Sequence, residues 1–401
     1  MLVLDSKRIL FGVTGSIACY KAADLASKLA QLGAAVDVVL TSAATNFVAP
    51  LTFQSVTGRR AYVDVDLWGP EGHVLHVSLG KQADLIVIAP ATANTLAKLA
   101  AGQADNLLTL AALASTAPLL LAPAMDGGMY SHPATQANLA TLKARGAIIV
   151  GPQSGHLASG LSGVGRMTEP EELAGHVRLL LGRQGPLAGR KVVVTAGGTR
   201  EPIDPVRAIT NRSSGKQGYA LAQAALDQGA EVILISAPTA LTPPVGADLI
   251  SVTSAEEMLS AVLSYARNAD LLLMAAAVAD FKVKKVSAHK LKRAAGVPDL
   301  ELEANPDILL GVGKLGPKKP KVIVGFAAES KDLLKNAAQK LSAKNLDLIV
   351  ANDITAENAG FEVDTNRIVL LDKTGHQEEL PLMSKDEVAR LILESAIAML
   401  I

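Results

Sequence analysis

The segment APAMDGGMY at 122–130 carries an apolar run, PLLLAP, straight into an acid, Asp126. Two glycines follow, which permit backbone angles closed to other residues. If PLLLAP is a buried strand, Asp126 stands at its carboxyl end, the edge of open α/β sheets where ligands bind. Other polar groups follow other apolar runs in the same way. Gly15 and Ser16 come after RILFGV, and Thr41 and Ser42 after AVDVVL. Thr92, Asn94, Asp105 and Asn106 lie in APATANTLAKLAAGQADNLL, after DLIVIAP. Taken singly, Thr92 and Ser42 suit helix N-caps. Together, hydroxyls and amides at one sheet edge suit hydrogen bonding to a phosphate, a ribityl chain and a flat heterocycle.

A second group lies further on. TAGGTREPIDPVRAITNRSSGKQGYA at 195–220 joins glycines, arginines, a lysine and a serine pair ahead of a helix. Such a loop holds phosphates through backbone amides and cations, or is a long Pro-rich surface loop. Its length between strand and helix favours function. LLLMAAAVADF at 271–281 ends a strand in small residues, where a nucleotide can approach the backbone. The run SAHKLKR at 287–293 reads by itself as a solvated loop.

The elements that must position these groups alternate along the whole chain. Short apolar strands (RILFGV, AVDVVLT, DLIVIAP, PLLLAP, AIIV) are separated by alanine-rich amphipathic stretches, which predicts parallel sheets with helices on both faces. The pattern restarts after LGRQGPLAGR. Both halves open as strand, glycine turn, helix, strand, so the expected fold is α/β, two tandem Rossmann-like domains with mainly parallel sheets. The expected boundaries are a first domain at 1–181, a linker at 182–190 and a second domain at 191–401. An inserted loop is expected at 199–214.

Composition excludes several classes. The 401 residues carry 38 Lys plus Arg and 38 Asp plus Glu, a balance that asks for neither nucleic acid nor a membrane surface. Aromatics are 3%, too few for base stacking on exposed rings. Cys19 is the only cysteine, which rules out a disulfide framework and fits a reducing cytosol. No basic-then-apolar leader opens the chain. The charge-free run 107–125 is interrupted by Pro118, so it reads as a buried helix and a buried strand rather than a membrane span. A soluble, cytoplasmic protein is expected.

Two common nucleotide motifs are absent. The first turn, GVTGS, is not G-x-G-x-x-G, and the second strand ends in Thr41-Ser42 where a dinucleotide site places an acid. NRSSGKQG is not a P-loop, because Thr210 stands where glycine is needed and Gln217 follows the lysine. What remains is phosphate held at two helix N-termini.

GVTGSIACYKAADL, PATANTLAKLAAGQADNLL, PAMDGGMY and SGLSGVGRM closely resemble the flavin-dependent cysteine decarboxylase family. Continued into the second half, the likeness is to bacterial bifunctional phosphopantothenoylcysteine decarboxylase/phosphopantothenate–cysteine ligases of coenzyme A synthesis, from residue 7 to about 395. The resemblance implies FMN on Gly15, Ser16, Ser42, Thr92, Asn94, Asp105, Asn106 and Met125. It implies oxidation of the cysteinyl thiol to a thioaldehyde with hydride passing to flavin, loss of CO2, then return of the hydride with a proton from an acid. The family's catalytic histidine falls on His76 in VLHVSLGKQAD, as general base or carboxylate orienter; His73 reads as solvated loop. Two positions depart from the family. Asp126 replaces an asparagine, and Ser159 replaces the flap cysteine that donates the last proton. A hydroxyl is a far weaker acid than a thiol of pKa ~8.5. Desolvation and the substrate's carboxylate would both favour a protonated Asp126. Asp126 is therefore expected as the replacement donor, with His156 in the same flap as its rival.

In the second half the resemblance shows no departure. It implies activation of 4′-phosphopantothenate by CTP to an acyl-cytidylate, then displacement of CMP by cysteine. Asn211 matches the residue holding the acyl-cytidylate and Lys290 the one serving transfer. Ala276, Asp280, Lys290, Pro306, Asp307, Ile308, Leu309, Phe326, Lys340 and Lys344 match the CTP pocket. Mg2+ would share neutralisation of the phosphates; its ligands are not identified by the resemblance. Flavin-domain trimers with FMN near a subunit interface and ligase-domain dimers are also implied, together able to form a dodecamer. Two alternatives accompany this expectation: a working ligase joined to a flavoprotein that stops at the oxidised enethiol, and a flavin-binding regulatory module. His76 and the lack of an acidic tail argue against the last.

Overall fold

The computed structural model describes residues 3–69, 72–158, 160–292, 298–329, 332–353 and 363–400. The chain divides into two compact units, Met1–Leu181 and Gly182–Ile401.

In the first unit, β1 (Arg8–Val13), α1 (Cys19–Gln31), β2 (Ala35–Leu40), α2 (Pro50–Thr57) and β3 (Ala61–Val63) build one half of a sheet. The other half comes from α3 (Gly72–Gln82), β4 (Leu85–Ala91), α4 (Ala93–Ala101), α5 (Leu107–Leu113), β5 (Leu119–Pro123), α6 (Gly127–Ser131), α7 (Pro133–Ala144) and β6 (Ile148–Ile149). The strands are all parallel, in the order β3-β2-β1-β4-β5-β6. Strand side chains alternate between faces. Ile9, Phe11 and Val13 enter a core with Leu25 and Leu29 of α1. Leu10, Ile86 and Ile88 enter the opposite core with Leu96, Leu107 and Leu108. Both faces are covered, which is why these strands read as continuous apolar runs. The 107–125 run resolves into α5 and β5. A hairpin, β7 (Gln153–His156) with β8 (Ser162–Arg166), leads to α8 (Pro170–Gly182). Ser159, between β7 and β8 in the sequence, lies outside the described residues.

The second unit begins with β9 (Lys191–Ala196), β10 (Arg200–Pro202), β11 (Ala208–Thr210), α9 (Lys216–Asp227), β12 (Glu231–Ser236), β13 (Asp248–Ser251), α10 (Ala255–Tyr265) and β14 (Leu271–Met274). It continues through β15 (Phe281–Val283), β16 (Leu302–Ala304), α11 (Ile308–Gly313), β17 (Val322–Glu329), α12 (Leu333–Ala343), β18 (Leu348–Asp353), β19 (Thr365–Asp372), β20 (Gln377–Ser384) and α13 (Lys385–Ala398). The main sheet has the order β13-β12-β9-β14-β17-β18-β19-β20, parallel up to β18 and antiparallel beyond it. Val193, Leu272, Ile323 and Ile349 share one core with Met258 and Val262 of α10.

One local expectation is revised. Within 199–214 the chain forms the β10–β11 hairpin instead of an irregular loop. In 182–190, Leu187 is buried and its N–H donates to the Gln228 carbonyl at 2.9 Å.

Candidate active sites

In the first unit, turns after five parallel strands enclose a cavity of about 600 Å³. Gly15 and Ser16 follow β1, Thr41 to Ala43 follow β2, and Asp64 follows β3. Thr92 to Thr95 follow β4, and Ala124 and Met125 follow β5. Chain order reverses between β1 and β4, so the cavity straddles the switch point of the sheet. Gly15 has no room for a side chain, since a Cβ would stand 2.5 Å from that of Ala43. The turns after β1 and β2 therefore close on each other.

All eight residues matched to cofactor binding, Gly15, Ser16, Ser42, Thr92, Asn94, Asp105, Asn106 and Met125, line this one cavity. Their local roles follow from capping. Thr92 caps α4, its hydroxyl accepting from the Thr95 N–H at 3.4 Å. Its own N–H donates to Thr14 Oγ1, which in turn donates to the Pro90 carbonyl at 2.7 Å. Asn106 caps α5 by accepting from the Thr109 N–H at 2.9 Å. Ser42 is not a cap. Its N–H and hydroxyl both donate to Asp64 Oδ2, at 3.0 and 2.7 Å. Asp64 Oδ1 accepts from the Leu107 N–H at 3.2 Å, so one carboxylate ties the β2 turn to the start of α5. Lys98 contacts both oxygens of Asp105, at 2.8 and 2.7 Å, and holds that carboxyl below its ordinary range.

Met125 leads into Asp126, which caps α6: Asp126 Oδ1 accepts from the Gly128 N–H at 2.9 Å. The flap hairpin docks on this turn through the Met125 N–H, which donates to the Gly165 carbonyl at 3.0 Å. His156 is exposed on β7, opposite Ser162. His76 is half-buried within α3, and its Nδ1 has no hydrogen-bond partner among the described residues. It is not among the residues lining the cavity. His73 belongs to the same helix rather than to a loop.

In the second unit the turns after β9 and β14 are zipped together. Gly198 and Ala277 form a parallel bridge, Thr195 Oγ1 accepts from the Ala276 N–H at 3.1 Å, and Thr199 Oγ1 accepts from the Ala279 N–H at 2.9 Å. Asn211, just beyond β11, donates its amide to the Ala277 and Val278 carbonyls, at 3.2 and 3.1 Å. Ala276 and Asn211 are thus brought to one place. Asp280 is exposed and accepts, through its carbonyl, from the Asn305 N–H at 2.8 Å.

Pro306 precedes α11, which Asp307 caps by accepting from the Leu310 N–H at 3.1 Å. Burial pushes the Asp307 carboxyl up, but the Lys344 ammonium at 2.7 Å and backbone donors bring it net below its usual range. Ile308 and Leu309 are core residues, so only their backbones are available to a ligand. Lys340 donates to the Phe326 carbonyl at 2.8 Å. Lys290 is exposed on the segment after β15.

Sequence reasoning missed Asp64, Asp204 and Asn352. The Asp64 partners lie 22 and 43 residues away in sequence, which no periodicity displays. Asn352, near the end of β18, has a buried Oδ1 with no partner among the described residues. Its signal was an amide at the carboxyl end of an apolar strand. Among the described residues no group of three or more His, Cys, Asp or Glu is arranged to hold a metal, and no helix is long and apolar enough to cross a membrane.

The family profile described as Flavoprotein matches residues 3–181, and that of the DNA/pantothenate metabolism flavoprotein C-terminal domain matches residues 187–400. The chain is 47% identical over 400 residues to the coenzyme A biosynthesis bifunctional protein CoaBC of Bacillus subtilis, covering 99% of this chain and 98% of that protein. It is 45% identical to the CoaBC of Mycobacterium tuberculosis strain H37Rv, covering 98% and 97%. A crystal structure of the C-terminal domain of a CoaBC protein is 43% identical with a TM-score of 0.46, covering 54% of this chain and 98% of that one. With near-complete coverage by such relatives, this chain belongs to the family of coenzyme A biosynthesis bifunctional CoaBC proteins.

Proposed function

We propose that this chain makes 4′-phosphopantetheine from 4′-phosphopantothenate, cysteine and CTP, ligating in its second domain and decarboxylating in its first. The reading takes 1–181 as the flavin domain, 182–190 as the joint and 191–401 as the ligase domain. The observation that carries it is the convergence of eight matched residues on one cavity at the sheet's switch point.

The cavity's chemistry fits FMN. Hydroxyls of Ser16, Ser42 and Thr92 and the Asn94 amide suit a phosphorylated polyol, while Ala124, Met125 and Met129 suit a flat heterocycle. The volume is that of a cofactor site. Lys98 and Asp105 offset each other, leaving Asp64 as an acceptor for ribityl hydroxyls and the turns to hold phosphate. Bound FMN would accept a hydride from the carbon bearing the thiol, the S–H proton being released, and would later return it. The chain's own residues bind the substrate, cover it with the β7–β8 flap and deliver a proton. Asp126 is assigned that proton, with His156 second. His76 stands outside one chain's cavity, so its role needs an assembly in which the flavin lies near a subunit interface. Exposed Trp68, at 86%, with Val65, Leu51 and Leu113 gives this unit apolar surface to cover by self-association as a trimer. Val206, exposed in the β10–β11 turn, with Phe281 and Leu302, exposed on the antiparallel pair of β15 and β16, does the same for a ligase dimer, and the two symmetries together generate a dodecamer.

In the second domain, carboxylate oxygen of phosphopantothenate attacks the α-phosphorus of CTP and pyrophosphate leaves. The cysteine amine then forms the C–N bond while the acyl C–O bond to CMP breaks and the amine's proton is released. Asn211 and Ala276 hold the acyl-cytidylate. Asp280, Pro306, Asp307, Phe326, Lys340 and Lys344 shape the CTP pocket, with backbone from Ile308 and Leu309. Mg2+ would be held by the nucleotide phosphates and would share in neutralising their charge. The protein works in the cytoplasm, without nucleic acid or membrane.

Purified protein incubated with phosphopantothenate, cysteine, CTP and Mg2+ should yield phosphopantetheine by mass spectrometry and carry a flavin absorption band. Accumulation of phosphopantothenoylcysteine in flavin-loaded protein would refute the decarboxylase half. Failure to release pyrophosphate would refute the ligase half.

A further inference from the structure

We propose that Asp204 is a positioning residue for the amide-forming step, acting on Lys290 through the backbone beside it; this rests on the reading of Lys290 as the residue serving transfer. Asp204 sits in the turn of the β10–β11 hairpin with its side chain fully buried, at 0% exposure. Its Oδ1 accepts from the Val206 and Arg207 N–H groups at 2.8 and 2.9 Å, which closes the turn. Its Oδ2 takes a fork from Arg207, at 3.0 and 2.6 Å, and also the Leu291 N–H at 3.1 Å. Arg207 Nη2 reaches on to the Leu291 carbonyl at 2.7 Å.

Both backbone groups of the residue following Lys290 are therefore held by one acid–base pair. Upstream, the Ser287 N–H donates to the Ile203 carbonyl at 3.0 Å, so the segment is tied to the turn on both sides of Lys290. Lys290 itself is exposed and makes no hydrogen bond or ion pair among the described residues. Among the described residues nothing fixes its ammonium, and its location derives from the backbone. The same hairpin runs into Asn211, which grips the β14 turn. At the hairpin's other end, buried Glu201 accepts from the Ala255 N–H at 2.9 Å and anchors it to α10. One rigid hairpin thus fixes the Lys290 backbone relative to Asn211. Preorganised placement of a cation is what lowers the barrier of a charged transfer step.

Asp204→Asn is the specific test. The retained oxygen still closes the turn, while an NH2 in place of Oδ2 confronts Arg207 and the Leu291 N–H with a donor. In the full-length enzyme, single-turnover pyrophosphate release should stay within about twofold of the parent, while amide formation slows by about tenfold or more and acyl-cytidylate accumulates. Asp204→Asn combined with Lys290→Gln should be no slower than Lys290→Gln alone, because the two act as a unit. Arg207→Lys, which cannot span Asp204 and Leu291 together, should shift the same ratio less. The circular dichroism spectrum and urea unfolding of the second unit report folding; if Asp204→Asn fails these, Arg207→Lys decides. Equal slowing of pyrophosphate release and transfer, or additive effects in the double variant, would overturn the proposal. Lys290→Gln with unchanged amide formation would overturn the reading of Lys290 instead, whatever Asp204→Asn does.

Discussion

Gly165 and Met125 stand so close that a Cβ on Gly165 would lie 2.1 Å from the Met125 carbonyl oxygen. The Met125 N–H donates to the Gly165 carbonyl at 3.0 Å, so the β7–β8 hairpin and the Asp126 turn are joined backbone to backbone. Gly165→Ala cannot be accommodated without moving one of them. No described residue of 153–166 belongs to either core of the sheet, so the first unit should still fold and keep flavin. Decarboxylation should fall by about tenfold or more, the penalty of misplacing a catalytic group. Flavin absorbance together with turnover of phosphopantothenoylcysteine checks this, and unchanged turnover would show that docking is dispensable.

Asp64 puts a carboxylate in a cavity that is to take an anion. Repulsion between separated charges near water amounts to about 1 kcal/mol. A hydrogen bond to a charged group is worth about 1.5–3 kcal/mol. Asp64 accepts three, two from Ser42 and one from Leu107, so its ordering effect wins. Asp64→Ala should therefore bind FMN about tenfold more weakly, measured by fluorescence titration of flavin-stripped protein. Tighter binding would mean that charge repulsion dominates.

The main sheets were legible because β1, β2, β4 and β5 are buried on both faces and read as apolar runs. The small hairpins were not. β7 and β8 are QSGH and SGVGR, short and polar or glycine-rich, with no alternation to find. Residues 199–214 looked like a loop because Pro202 and Pro205 mask the pairing of β10 with β11. The cavity residues were legible individually as strand-end polar groups and collectively through resemblance. Asp64 and Asp204 were not, because their roles come from tertiary contacts with remote backbone N–H groups.

Asp270 gives the second unit a pH-dependent component of stability. Burial pushes its carboxyl up, yet the Lys321 ammonium at 2.7 Å, the Lys191 N–H at 3.0 Å and the Arg190 guanidinium at 2.9 Å outweigh that and bring it below its ordinary value. A carboxyl depressed in the folded state stabilises above its unfolded pKa of about 3.9, and loses that as pH falls through the folded value. Asp270→Asn should thus be less stable than the parent at about pH 6, with the gap closing as the solution is acidified. Urea unfolding followed by circular dichroism at several pH values tests the sign. A gap that widened in acid would contradict it.

Asp126 tests how one atom divides folding from chemistry. Its Oδ1 caps α6 by accepting from the Gly128 N–H, a role that an asparagine Oδ1 fills about as well. Asp126→Asn should therefore leave stability within about 0.5 kcal/mol and keep flavin. What changes is the second atom: a carboxyl oxygen that can carry a proton becomes an amide that cannot release one at working pH. Parent enzyme should give fully reduced phosphopantetheine. Asp126→Asn should stall at the enethiol, lighter by one pair of hydrogens in the mass spectrum. His156→Ala, changing an exposed residue on β7, should still complete the reaction. Stalling by the parent would mean that neither replacement supplies the proton. Full reduction by Asp126→Asn with stalling by His156→Ala would transfer the role to the histidine.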